Sequence, residues 1–394
     1  MRKLAVVSHI LPPSPSGQAV MLRRLLRAVP TEAYCLISRA DYSSANNDSL
    51  RLPAPYYFLP PEFQLQRPNR SNLYRFKELT NVGWQIIGRA RRVVKICRQE
   101  RCRSVLACSG DLADIPACYL ASRWLRIPFY IYLFDDWRFQ WTRKLHQWFV
   151  TKVEPVIMRR ATKVIVPNEF LQKTYERRYG IRPAVIHNPL EMAQYQNQNG
   201  FRPRAVDDEI RIVYTGAVYH VNYDCFRNLM AAIAQLNRPR LKLHLYMAQD
   251  PGVLEFENIR GPIVLHEHVP PEEAHRIQRE ADILFLPLSF NPEFADIINT
   301  SAPGKMGEYM ASGRPILAHA PAGSFVSWYF REQECGALID SSDVPALANS
   351  IQRLLDDESY SRKLVEKAYA CAARDFNLTI EQDKFRSLLF EGLA

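Results

Sequence analysis

The sequence has 394 residues, of which 47% are hydrophobic and 23% charged; this is the balance of a soluble globular protein and excludes a disordered chain or a bundle of membrane spans. Two domains are expected at this length, each large enough to bury a core. The first 200 residues carry 31 Lys and Arg against 14 Asp and Glu, and the rest 20 against 27, so the first half suits an anionic partner: nucleic acid, anionic lipid or a phosphorylated substrate.

In chain order, LAVVSHIL (4–11) reads as a first β-strand, because His9 and Pro12 cut the apolar run short and no small-residue cleavage site follows. The loop PPSPSGQ leads into AVMLRRLLRAV, where Val20, Leu22, Leu25, Leu26 and Val29 recur at helical spacing. Residues 41–75 are polar and proline-rich and predict a long surface loop. RSVLACS (103–109), PFYIYLF (128–134) and KVIVPN (163–168) are short apolar strands separated by helical patterns, the signature of a parallel, doubly wound sheet. Between the last two, residues 138–163 interleave Trp141, Trp148 and Phe149 with Arg143, Lys144, Lys152, Arg159 and Arg160. Core packing is the more frequent explanation for any one amphipathic helix, but with the basic excess of the first half this composition favours a helix lying on anionic lipid.

The rhythm stops between about 187 and 209, which reads as a linker. A second set of βα units follows: IRIVYTG (210–216), a helix through FRNLMAAIAQL, LKLHLYM (241–247), PIVLHEHV (262–269), a helix around PEEAHRIQREA, and DILFLPL (282–288). The expected architecture is α/β, two Rossmann-like doubly wound domains facing each other across a cleft, at 1–190 and 205–375. A C-terminal helix in 376–394 is expected to return to the N-terminal domain. The longest apolar run, IPFYIYLF (127–134), has the length of a buried strand rather than of a membrane span. Eight cysteines show no Cys-x-x-Cys and no zinc spacing with histidine, which points to a reduced, cytoplasmic protein. His266, His268 and His275 invite a metal reading, but no carboxylate-lined pair completes a set and none is expected.

The stretch NTSAPGKMGEYMASGRPIL (299–317) is the densest in chemistry. Asn299–Gly304 is expected to lead from the carboxyl end of the DILFLPL strand into a helix opening at Lys305. A spacing of three puts Lys305 and Glu308 on one face of its first turn. A lysine beside free N–H groups suits a diphosphate, and a carboxylate there can accept hydrogen bonds from ribose hydroxyls. The same residues also fit an ordinary helix start, with Glu308 favouring the macrodipole and Lys305 solvated.

This stretch resembles the donor-site segment of the GT-B glycosyltransferases of the family-4 type. VVSHILPPSPSGQ, FDDW (134–137), ATKVIVPNEFLQKTYERRYGIRPAVIHNP (161–189) and VYTGAVY extend the resemblance over nearly the whole chain. It implies transfer of a sugar, with retention of configuration, from a nucleotide-sugar donor to a glycan or lipid-linked acceptor in polysaccharide, glycolipid or glycoconjugate synthesis. It implies no metal cofactor, a cytoplasmic protein, and peripheral contact with an anionic membrane. By the same resemblance Glu308 meets the ribose, Ser301, Pro303, Gly304 and Lys305 the diphosphate, Val269 the base, and Gly17, Gly216 and His220 the donor phosphates. Asp135, the better placed of two adjacent aspartates, would contact the acceptor or reacting sugar, making Asp135, Lys305 and Glu308 the catalytic set. The chain departs from the family twice: Thr300 stands where a glutamate is common, and AVYHVNYD lacks the arginine or lysine that usually follows Gly216. A sugar-nucleotide epimerase on the same fold and a non-catalytic binding partner are the alternatives; no nucleic-acid motif is present and no such partner is expected.

Overall fold

The computed structural model describes residues 3–39, 50–62, 74–195, 201, 209–247 and 249–390. The chain forms two units, Met1–Pro189 with Leu378–Ala394, and Leu190–Asn377.

The first unit is built on a parallel sheet of seven strands: β1 (Lys3–Val7), β2 (Tyr34–Ser38), β3 (Tyr56–Phe58), β4 (Cys102–Cys108), β5 (Phe129–Tyr132), β6 (Lys163–Val166) and β7 (Ala184–Val185). Their order is β3-β2-β1-β4-β5-β6-β7. Strands covered on both faces read as unbroken apolar runs, and β1, β2 and β4 are buried almost throughout. The helices are α1 (Gly17–Leu26), α2 (Tyr74–Gln99), α3 (Asp114–Leu125), α4 (Lys144–Arg160) and α5 (Glu169–Tyr179). Side chains of α2, α3, α4 and α5 share one core. On the other face α1 packs with the last helix of the chain, Leu378–Leu389, whose Phe385 and Leu389 join Leu22, Leu25 and Leu26. Gln382 donates to the Arg24 carbonyl (2.6 Å), and Glu381 accepts the His187 backbone N–H (3.0 Å).

The stretch expected to be one long loop, 41–75, contains β3, which pairs in parallel with β2, Leu36 opposite Tyr56. Residues 40–49 and 63–73 lie outside the described residues.

The second unit holds six parallel strands: β8 (Ile210–Thr215), β9 (Leu241–Tyr246), β10 (Ile263–His266), β11 (Ile283–Pro287), β12 (Ile316–His319) and β13 (Ala337–Ile339), in the order β10-β9-β8-β11-β12-β13. Its helices are α6 (Tyr223–Leu236), α7 (Gly252–Phe256), α8 (Pro271–Glu280), α9 (Ala295–Ile298), α10 (Lys305–Ala311), α11 (Phe325–Gln333), α12 (Val344–Asp356) and α13 (Glu358–Asp375); the last helix, already described, is α14. Within the stretch read as a linker, Leu190 bridges Asn377 and donates its N–H to the Phe376 carbonyl (2.7 Å), and Met192 and Tyr195 are buried.

In both sheets the chain runs outward from the first strand in one direction, then returns to its other side. Each sheet therefore has a switch point, between β1 and β4 and between β8 and β11, where open α/β sheets bind ligands beyond the strands' carboxyl ends. Among the described residues no helix is long and apolar enough to cross a membrane, and all eight cysteines are free and buried.

Candidate functional site

The second switch point gathers most of the residues singled out from the sequence. β8 ends at Thr215, whose N–H is accepted by the Tyr309 hydroxyl (3.1 Å) and whose Oγ1 accepts from Gln278 of α8 (3.0 Å). Tyr309 is fully buried, so this bond pins α10 against the end of β8. Gly307 lets the helix come close, since a Cβ there would approach Leu190 Cδ2 to 2.9 Å.

One turn back along α10, Lys305 extends over the Tyr214 ring, its Nζ 3.6 Å from the ring centroid. The same Nζ is 3.0 Å from where a Cβ on Gly216 would lie, and Gly216 has φ +121°. Glycine is thus required twice, by its backbone and by the ammonium beside it. Burial pushes the Lys305 ammonium down to about 7, against an upward pull from Glu308. The residue as a whole keeps some exposure, so it is the ammonium end that is desolvated. Gly216→Ala is expected to cost about 1–3 kcal/mol of stability from backbone strain and to displace Lys305; chemical denaturation and nucleotide titration of the variant check the two effects.

Glu308 follows on the same helix, and its Oε1 is 3.9 Å from Nε2 of His275 on α8. That nitrogen is buried and has no hydrogen-bond partner. Sequence reasoning missed this neighbour, treating His275 only as one of three histidines, and nothing in its local pattern distinguishes it.

The approach to α10 differs from expectation. Asn299–Gly304 does not leave β11 directly: α9 intervenes, and Ser301 N–H and Met306 N–H close turns on the Ile298 (3.2 Å) and Pro303 (2.9 Å) carbonyls. Ser301 and Pro303 are half-exposed and Gly304 exposed. Thr300 is buried, its hydroxyl turned back to the Ile297 carbonyl (3.4 Å). His220 is exposed and packs edge-on against Phe294, ring centroids 5.0 Å apart. Val269 lies in the loop after β10, the edge strand and two places from β8. His266 stacks on Tyr246 (4.1 Å) and contacts His244 Nδ1 (3.0 Å). Among the described residues no group of three or more His, Cys, Asp or Glu is arranged to hold a metal ion.

In the first unit the two aspartates after β5 have different environments. Asp136 is fully buried, ion-paired with Arg178 (2.7 Å) and bonded to the Arg138 N–H (3.1 Å). Asp135 makes no such pair among the described residues, and burial, aided by the Asp136 charge, raises its carboxyl to about 7. Gly17 is the exposed first residue of α1, with open space around its Cβ position. The sequence also gave no sign of His9 at the switch point after β1. Its ring fills the space that a side chain at Gly110, beyond the end of β4, would need. Gly110 has φ +125°, and the buried His9 Nδ1 is without a hydrogen-bond partner. Behind it, the fully buried Arg89 donates through Nε to Glu62 (3.1 Å) and pairs through Nη1 with Asp111 and Asp114; Arg39 adds a contact to Asp111 (3.2 Å).

Residues 209–357 match the family Glycosyl transferases group 1. The second unit carries a glycosyl transferases group 1 domain. A curated relative also matches part of the chain: the D-inositol 3-phosphate glycosyltransferase of Corynebacterium glutamicum (strain R) is 29% identical over 149 residues, 38% of this chain and 31% of that protein. The chain thus matches about a third of that relative's length. Two solved structures resemble the chain over nearly all of both partners. Sucrose-phosphate synthase from Thermosynechococcus elongatus has a TM-score of 0.70 at 18% identity, covering 98% of each chain. Anabaena HepE in complex with UDP-glucose has a TM-score of 0.70 at 14% identity, covering 99% of each. At these identities the likeness is one of fold: beside its group 1 domain the chain has a second parallel α/β sheet, and the two together are the GT-B fold.

Proposed function

We propose that the chain is a glycosyltransferase that takes a sugar from a nucleotide-sugar donor bound by the group 1 domain and passes it to a glycan or lipid-linked acceptor bound by the first unit. One observation carries the reading: at the switch point between β8 and β11, a desolvated lysine ammonium lies against a glycine, with a carboxylate one turn further along the same helix. The cation meets the diphosphate, whose charge grows as the sugar leaves, and Glu308 accepts from the ribose hydroxyls. His275, beside Glu308, shares that work. UDP is the nucleotide most directly suggested, since HepE, with the same fold, is seen with UDP-glucose. Transfer proceeds with retention and without a metal, Lys305 supplying the positive charge, and the product belongs to a polysaccharide, glycolipid or glycoconjugate. Asp135, the unpaired carboxyl, orients the acceptor or the reacting sugar. Asp135→Asn should therefore slow transfer while leaving UDP affinity unchanged, which steady-state rates and calorimetry separate.

The Lys305 ammonium gives a direct test. Its pKa is about 7 in the free protein, and a bound diphosphate raises it. Between about pH 6, where the terminal phosphate of UDP itself takes up a proton, and pH 7 the lysine is already charged and UDP affinity should be nearly flat. Above pH 7 binding must take up a proton, so affinity should fall by up to about tenfold per pH unit. Calorimetric titration of UDP in two buffers of different ionisation enthalpy measures that proton. Binding that is independent of pH and unaltered in Lys305→Ala would overturn the assignment.

A further inference from the structure

The loops after β8 and β11 leave neighbouring strands at the second switch point, and between them they hold a run of aromatic rings that the nucleotide grip does not use. Tyr219 and His220 stand on the first loop and Phe294 on the second. Tyr219 is 45% exposed, His220 is exposed and Phe294 half-buried. The rings meet edge to face, Tyr219 with His220 at 5.7 Å between centroids and His220 with Phe294 at 5.0 Å.

This ledge is braced by the backbone beneath it. The Tyr219 N–H donates to Asn222 Oδ1 (2.9 Å). The buried Asn222 in turn donates through Nδ2 to the Tyr214 hydroxyl (3.3 Å), which donates to the Ala217 carbonyl (2.7 Å). Tyr214 is the ring under the Lys305 ammonium, so ledge and cation share one footing. The second loop is tied to the first: the Ser289 N–H donates to the Val221 carbonyl (2.9 Å), and the Phe290 N–H to the Asp224 carboxylate (2.7 Å). Asn291 accepts the Glu293 N–H (3.0 Å) and opens the turn that carries Phe294. Rings fixed in advance lose little entropy when a ligand arrives. An exposed aromatic cluster that is held in place marks a binding surface.

Charge narrows what can lie there. Residues 217–224 and 289–300 contain no Lys or Arg and three acids, Asp224, Glu293 and Asp296; Glu293 and Asp296 are exposed. A sugar carrying a carboxylate would meet like charge without a counter-charge from either loop. A neutral pyranose instead presents C–H bonds whose hydrogens carry partial positive charge, and the electron-rich face of an aromatic ring attracts them.

We infer that Tyr219, His220 and Phe294 form the surface on which the donor's sugar ring stacks, and that this surface selects an uncharged sugar over a hexuronic acid. The inference rests on the proposed donor site and adds the class of sugar to it. It gives His220 a different task from the phosphate contact implied by the resemblance. Thr300, buried with its hydroxyl on the Ile297 carbonyl (3.4 Å), is turned away from this surface.

Calorimetric titration of the full chain with UDP, UDP-glucose, UDP-galactose, UDP-N-acetylglucosamine and UDP-glucuronate tests the inference. At least one neutral donor should bind more tightly than UDP, and UDP-glucuronate no more tightly than UDP. Tyr219→Ala should take roughly tenfold from the affinity for that neutral donor, the scale of one well-placed aromatic contact, and leave UDP unchanged. Tyr219→Phe, which keeps the ring, should bind as the parent does. His220→Ala should follow Tyr219→Ala in a smaller degree. Both positions are exposed, so melting temperatures should not move. UDP-glucuronate bound as tightly as the best neutral donor, a Tyr219→Ala variant with the parent's affinity for that donor, or a His220→Ala variant that loses UDP and UDP-sugar alike would overturn it. UDP bound with no gain from any sugar overturns this inference alone, whereas binding of neither UDP nor a UDP-sugar overturns the donor reading with it.

Discussion

Lys305→Ala is expected to lower the proposed transfer from a nucleotide-sugar donor by roughly 10²–10³-fold, the scale seen when a preorganised group facing developing charge is removed. The loss should fall mainly on kcat, because the charge on the leaving diphosphate is greatest in the transition state. Lys305→Arg should not rescue it. The ammonium fits between the Tyr214 ring and Gly216, and a planar guanidinium is broader and places its charge elsewhere. Stability should move the other way. A lysine pKa lowered from 10.5 to about 7 means that the folded state disfavours the charged form, so Lys305 lowers stability progressively as pH falls from about 10 to 7, and fully below that. Lys305→Met, which keeps the chain length and removes the charge, should thus hold or raise the melting temperature at pH 7 while abolishing most activity. An alanine variant within a factor of about three of the parent would place the chemistry elsewhere.

Arg89→Met is expected to be the most destabilising single change in the first unit, by about 3–5 kcal/mol, the cost of breaking a buried ion pair from one side. Arg89 has no exposed surface, and it faces Glu62, Asp111 and Asp114 together. Without it, the cations that remain near those carboxylates among the described residues are the half-exposed Arg39 and the outlying Arg92. Even with Arg89 present, burial and the Asp111 charge hold the Asp114 carboxyl up at about 7. Removing the guanidinium raises it further, so the variant's carboxyls are neutralised by protons that the unfolded chain binds only at lower pH. The sign follows: the deficit should be largest above pH 7 and shrink as pH falls toward 5. Urea denaturation of the full chain at several pH values measures this. A deficit independent of pH would mean that lost packing, rather than uncompensated charge, dominates.

How far the sequence could be read depended on the range of the contact involved. Strands buried on both faces announce themselves, and β8, β9 and β11 fall within a residue or two of their apolar runs. β1 stops at Val7, not at Leu11, because the Ser8 hydroxyl turns back to the Ile10 carbonyl (2.6 Å) and starts the loop. β3 was hidden by its three residues and flanking prolines, and α9 by its single turn. The Lys305–Glu308 pair was legible because both lie on one helix turn, where spacing dictates direction. Gly216, opposite Lys305, was placed at the donor phosphates by the resemblance; its closeness to the ammonium is a contact between distant segments, which spacing does not reveal. His275 beside Glu308 and His9 against Gly110 are of the same kind. Asp135 and Asp136 are likewise adjacent in sequence, and it is Arg178, from the helix after the next strand, that claims one and leaves the other.

The parallel bridge between Leu190 and Asn377 also bears on how the gene can be cut. Both ends of the second unit meet at one spot, so it can be excised or grafted as a closed piece with little loose tether. Its host is interrupted instead: a stop codon anywhere before Leu378 would strip the remaining sheet of Phe385 and Leu389, and the truncated product would be the one to precipitate.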